Sequence, residues 1–170
     1  MLKHLVGMAR KLVYYVACTV DGFIARKDGS IDWALFQGEH FADLIEKFPE
    51  TFPTHLRRTL GVPENARRFA TVLMGRKTYE VGLNAGITSP YEPLRQFVVS
   101  GSMPEIPDSA VHLHRGGSLE LVRQLKAEQG KDIWLCGGAN RIGDLSCSVH
   151  ANQELTQGKA GVAKPFVNIG

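Results

Sequence analysis

The chain has 170 residues, 44% of them hydrophobic and 22% charged, and its 20 Lys and Arg against 17 Asp and Glu leave a formal net charge of +3. This composition carries one sizeable apolar core and excludes a mainly disordered chain, while the small, unclustered positive surplus gives no basis for nucleic-acid binding. No run reaches the roughly 18 apolar residues of a membrane helix.

Cys18, Cys136 and Cys147 are scattered and form no Cys-x-x-Cys pair, which fits neither a disulfide scaffold nor a thiolate zinc site and points to the cytoplasm. Residues 1–7 are too short in their apolar part for a signal peptide, and Met8 would serve equally well as a start.

Leu12 to Cys18 is a continuous apolar run of β-forming residues, as expected of a strand buried on both faces. Asp21-Gly22 and Asp28-Gly29 mark residues 19–32 as a long loop. From Glu39, the spacing of Phe41, Leu44, Ile45 and Phe48 predicts a helix that Pro49 and Pro53 stop. Residues 50–69, with four arginines and little periodicity, read as an irregular insertion. Thr71–Met74 predicts a second strand, closed by Gly75 and followed by a short helix from Arg76 to Val81. Gln96–Ser100 predicts a third strand and the more polar Val111–His114 a fourth, nearer an edge. Ser118 is the expected cap of a helix whose Leu119, Val122 and Leu125 face inward, with Gly130 beyond its end. Asp132–Cys136 predicts a fifth strand, ending in Gly137-Gly138. Strands alternating with helices argue for an α/β domain with a largely parallel sheet. From Ser146 onward the character shifts to scattered apolar residues, among which only Phe166–Ile169 has weak strand character.

Three expected strand ends run straight into small or polar residues: Ala17 to Gly22, Gly75-Arg76-Lys77-Thr78, and Gly137-Gly138-Ala139-Asn140-Arg141. Ligands of α/β sheets bind outside the carboxyl ends of strands, and a helix N-terminus with nearby glycines and cations suits a phosphate. Together the three describe a nucleotide or dinucleotide site. Singly they are weak: a glycine pair is also plain turn chemistry, Arg76 and Lys77 also suit a solvated helix face, and no P-loop or Gly-x-Gly-x-x-Gly is present. Asp21 reads equally as a turn former, and Trp33 equally as a core cap or a ligand contact. There is no Gly-x-Ser-x-Gly elbow. His112 and His114 lack further ligands at metal spacing, so no metal is expected. Cys136 reads as a small core residue.

These same segments, Ala17-Cys18-Thr19-Val20-Asp21-Gly22-Phe23-Ile24-Ala25, Val72-Leu73-Met74-Gly75-Arg76-Lys77-Thr78-Tyr79 and Ile133-Trp134-Leu135-Cys136-Gly137-Gly138, make the chain resemble the dihydrofolate reductase-like superfamily. The resemblance is to its bacterial branch, related to the C-terminal reductase domain of the bifunctional riboflavin-biosynthesis deaminase/reductase. It implies a three-layer α/β fold with a mostly parallel central sheet flanked by helices over residues 8–145, with 146–170 an atypical tail.

The resemblance further implies NADPH as cofactor, hydride transfer to a small heterocyclic or ribosyl-aminopyrimidine-type substrate, and a homodimer. Carried over, Ala17 and Thr19 lie by the nicotinamide. Gly75, Arg76, Lys77 and Thr78 hold the cofactor phosphates, with Arg76 or Lys77 at the 2′-phosphate. Ser100 lies near the adenosine ribose, and Gly137, Gly138, Ala139, Asn140 and Arg141 wrap the pyrophosphate. Asp21 and Trp33 match the loop beside nicotinamide and substrate; Glu39 or Asp43 reaches the pocket from the helix, and Asp21, Asp43 or a water delivers the proton. The rival readings are a non-catalytic family member and a nucleotide-binding module without redox activity.

Relatives continue past the glycine pair with a helix, an Ile-Asp-Glu-Leu-like strand and a glycine-rich hairpin, whereas here the chain reads Asp144-Leu145-Ser146-Cys147-Ser148-Val149-His150. This reads as a replaced C-terminus, such as a shift of reading frame would produce. The expectation is a sheet without its final strands and with an unpaired apolar edge.

Overall fold

In a computed structural model, residues 10–19, 21, 23–30, 39–137, 151–155 and 165–169 are described. Their elements run in the order β1 (Leu12–Tyr15), α1 (Glu39–Lys47), a 3-10 turn (Pro49–Thr51), α2 (Thr54–Arg57), β2 (Phe69–Gly75), α3 (Arg76–Asn84), β3 (Arg95–Val99), β4 (Val111–His114), α4 (Ser118–Ala127), β5 (Asp132–Cys136), β6 (Ala151–Leu155) and β7 (Pro165–Ile169). The strands form one seven-stranded sheet in the order β4-β3-β2-β5-β1-β7-β6. β1 to β5 pair in parallel, and β7 lies antiparallel to both β1 and β6.

Alternate side chains of each central strand point to opposite faces, and both faces are covered. Leu12, Tyr14, Leu73, Phe97, Val99, Ile133 and Leu135 pack against Leu121, Val122 and Leu125 of α4. Val13, Val72, Met74, Val98 and Trp134 pack on the other face with Leu44 of α1 and Tyr79 and Leu83 of α3. This two-sided burial explains why the strands read as continuous apolar runs. The fold is thus three-layer α/β, as expected.

Four local expectations are corrected. β1 ends at Tyr15 rather than Cys18, because its ladders end there: Tyr14 pairs with Leu135 and Tyr15 with Phe166. α3 continues to Asn84, where Gly86 at φ 78° takes the left-handed stop and returns its N–H to Leu83. Gly117, not Ser118, occupies the N-cap of α4, and Ser118 is buried in the first turn. The sheet also keeps an outer pair of strands. β7 covers the edge of β1 from Leu12↔Ile169 to Tyr15↔Phe166, and β6 covers β7. Ladder bonds are made by backbone groups, so a segment of modest β-propensity such as Phe166–Ile169 is enough to satisfy the edge.

The insertion before β2 is held by a buried charge. Glu50 is fully buried, and its carboxylate accepts from the backbone N–H groups of Arg67 at 3.0 Å, Arg68 at 2.6 Å and Phe69 at 2.6 Å. Buried Arg57 donates to the carbonyls of Pro49 and Pro63, which clamps both ends of the same segment. At the adjoining end of the sheet, Arg10, only 3% exposed, donates to the Lys131 and Leu125 carbonyls, Glu128 and the Thr71 hydroxyl.

Removing the Glu50 carboxylate leaves three backbone donors without their acceptor, of which that of Phe69 is buried. Glu50→Ala is expected to cost about 3 kcal/mol in urea unfolding, and Glu50→Gln, which keeps one acceptor oxygen, about half as much. A loss below about 1 kcal/mol for the alanine variant would show that those N–H groups find other partners.

Candidate functional site

β5 lies between β1 and β2, so the parallel pairing brings three strand ends together. Met74 pairs with Cys136, which sets the end of β2 level with Gly137, and Gly75 pairs with Val99, which sets Ser100 beside it. On the other side, the end of β1 leads through Val16 and the exposed Ala17 into the loop at Thr19. The structure therefore collects Ala17, Thr19, Gly75, Arg76, Lys77, Thr78, Ser100 and Gly137 along one edge of the sheet. Trp33, Gly138, Ala139, Asn140 and Arg141 lie outside the described residues.

The start of α3 is built against its own helix. Its N-cap, Gly75, provides no side-chain hydrogen bond, and the first turn has no acidic residue. Arg76 and Lys77 stand there exposed, where cations oppose the positive end of the helix dipole. Gly75 has φ −79°, which any residue adopts, and a Cβ placed on it meets nothing within 4 Å among the described residues. Among the described residues neither backbone nor packing requires that glycine, and it lies beside helix-start N–H groups without a side-chain cap and two cations. This donor set fits an anion.

Gly137 is different. Its φ of +67° is left-handed, and a Cβ there would stand 2.6 Å from the Thr78 hydroxyl. The end of β5 thus abuts the first turn of α3 so closely that only glycine fits. Ser100 is 2% exposed, and its hydroxyl accepts from the N–H groups of Ser102 and Met103, so it shapes the turn after β3.

Thr19, Asp21, Phe23, Ala25, Arg26 and Lys27 line an open pocket of about 360 Å³ beside the end of β1. Its loop is ordered by its own hydrogen bonds. Thr19 N–H donates to the Phe23 carbonyl at 2.8 Å and Phe23 N–H to the Thr19 hydroxyl at 3.0 Å, and Phe23 itself is 62% exposed. The Asp28 carboxylate accepts from Ser30 N–H at 2.9 Å, a bond that holds its pKa below the usual carboxylate value. Phe23, Arg26 and Lys27 were not legible as site residues, because a loop gives no periodicity to read. Glu39 is exposed on α1, and Asp43 faces Lys47 one turn on at 3.4 Å. The described residues contain no cluster of three or more metal-ligating side chains, and no helix among them is long and apolar enough to cross a membrane.

Below the site, the Cys136 thiol lies 3.8 Å from the Tyr91 hydroxyl, and burial pushes its pKa up to about 12. Burial also raises Cys18, with the nearby Asp21 charge adding to it.

No protein-family model matches the chain. It is 33% identical over 139 residues to the uncharacterized protein YwjB of Bacillus subtilis (strain 168), covering 81% of this chain and 70% of YwjB. The chain belongs to the YwjB family. A second B. subtilis protein, the uncharacterized YyaP, is 26% identical over 144 residues, 78% of this chain and 65% of YyaP. Among solved structures, a candidate riboflavin biosynthesis protein from Shewanella sp. PV-4 shares the fold with a TM-score of 0.60 at 18% identity, over 95% of this chain and 98% of that one.

Three expectations follow. Gly137→Ala combines left-handed strain with a clash against Thr78 and is expected to cost about 2–4 kcal/mol in denaturant unfolding. Adding Thr78→Ala should recover the clash part alone; no recovery would show that the contact is not tight. The raised Cys136 pKa favours the neutral thiol. Cys136 is the more strongly raised of the two thiols, so peptide mapping after iodoacetamide at pH 8 should find Cys18 labelled before Cys136. The stability linked to Cys136 should fall as pH rises past the ordinary value of 9.0, where the unfolded thiol ionises first. Labelling of Cys136 at the rate of Cys18 would show that its thiol is not held neutral.

Proposed function

We propose that the chain is an NADPH-dependent reductase acting on a small heterocyclic or ribosyl-aminopyrimidine-type substrate. The observation that carries this reading is the start of α3: a helix end with no side-chain cap, two exposed cations in its first turn, and a glycine that no contact among the described residues requires. The Shewanella protein, which shares the fold, is named for riboflavin biosynthesis, and this supports the substrate class.

In this reading Gly75, Arg76, Lys77 and Thr78 hold the cofactor phosphates through backbone N–H groups and charge-assisted contacts. Ala17 and Thr19 at the end of β1 lie by the nicotinamide, Gly137 stands with the pyrophosphate, and Ser100 shapes the turn on the ribose side. Gly138 to Arg141 complete the phosphate cradle. When bound, the cofactor supplies hydride. The work of the protein is to hold donor and acceptor close and aligned, which supplies much of the rate. The substrate lies against the pocket of Thr19, Asp21 and Phe23, and the family resemblance assigns Trp33 and Glu39 as further substrate contacts. Asp21 is the carboxylate best placed to carry the proton, because Asp43 is turned toward Lys47.

Thermal unfolding with and without cofactor tests this. NADPH at about 100 times its dissociation constant should add about 2.7 kcal/mol, a rise of roughly 5–11 °C for a domain of this size, with a smaller rise for NADH. An equal rise with adenine nucleotides lacking nicotinamide would make the protein a nucleotide-binding module. A cooperative transition that no nucleotide moves would overturn the reading and leave the fold intact.

A further inference from the structure

The two cations at the start of α3 are not equivalent. Arg76 Nε lies 3.6 Å from Oε1 of Glu80, one turn along the same helix, with the two side chains 43% and 39% exposed. Lys77 has no ion-pair partner among the described residues. A cation that precedes its acid by four residues is the weaker order for a helix, and Arg76 also opposes the dipole, so the pair does little for α3 itself. Its consequence is electrostatic: an anion gripped by Arg76 sits within a few ångströms of a fixed carboxylate.

We propose that Glu80 is a specificity-determining residue that partly neutralises Arg76 and so limits how strongly this site prefers a cofactor carrying an additional phosphate. The proposal rests on the cofactor reading above. A dianionic 2′-phosphate feels the Glu80 charge, whereas a cofactor that ends there in a hydroxyl does not. Removing one such charge in a solvent-exposed setting changes dianion affinity by about three- to tenfold at low salt.

The test is calorimetric titration of the full chain with NADPH and with NADH, for wild type, Glu80→Gln, Glu80→Asp and Arg76→Ala. Glu80→Gln should tighten NADPH by about three- to tenfold and leave NADH within about twofold, and high salt should shrink the gain. Glu80→Asp, which keeps the charge, should stay near wild type. A purely structural role for Glu80 would move both cofactors together. If Glu80→Gln leaves the NADPH to NADH ratio unchanged while Arg76→Ala lowers it, the proposal fails and the cofactor reading stands. A weaker NADPH affinity in Glu80→Gln also overturns it, since the carboxylate would then be orienting Arg76 rather than competing for it. If wild type binds neither cofactor, both readings fall.

Discussion

Strand β5 is hydrogen-bonded to β1 on one side and β2 on the other, and the arrangement of the candidate site follows from that double pairing. Because all three strands run the same way, their carboxyl ends arrive together, and each must hand the chain to a turn or helix at that edge. Gly137 is the tightest of these exits. It turns with a left-handed φ against Thr78, so the end of β5 and the start of α3 form one wall. A shift of one residue in the β5 register would send Trp134 to the opposite face and move Gly137 away from Thr78.

The opposite edge of the sheet is built in another way. There the strand starts are tied by buried charges: Arg10 links the approach to β1 with β2, β5 and the end of α4, and Glu50 gathers the N–H groups where β2 begins. Arg95 joins the network through Glu128 at 2.8 Å. Removing the buried Arg10 or Glu50 from its partners costs several kcal/mol, more than exposed pairs such as Arg95–Glu128 contribute. One edge is thus locked by charge and hydrogen bonds, while the other keeps uncapped donors and exposed cations. Local rules are broken at α3, where a ligand could use the breach, and obeyed where only stability is at stake.

The central strands were legible because burial on both faces leaves continuous apolar runs, as in Leu12 to Tyr15 and Ile133 to Cys136. The grouping of Gly75, Thr78 and Gly137 was legible because glycines mark strand exits. What escaped were features that depend on partners far away in sequence. Glu50 looked like one more charge in an irregular insertion, since nothing local shows that its acceptors face three N–H groups 17 to 19 residues on. The tail was misjudged for a related reason. Its composition departs from the familiar pattern, but an open edge on β1 recruits backbone, and backbone is blind to composition. Ser118 failed as a cap because the preceding glycines already provide the turn.

The placement of β1 also governs when the fold can close. Arg10 and its acceptor at Lys131 are 121 residues apart, and the other neighbour of β1, β7, lies nearer still to the end of the chain. At about 5–20 residues per second, a ribosome takes roughly 6–24 s between making β1 and making β5. Throughout that interval the most apolar strand of the N-terminal region has neither of its partners, while β2, β3 and β4 can already pair with one another. During synthesis, pairing among β2, β3 and β4 is therefore available before β1 has any of its partners. Long-range closures of this kind slow folding and prolong the exposure of strand edges, so synthesis in the cell favours conditions that keep this segment soluble until its neighbours emerge.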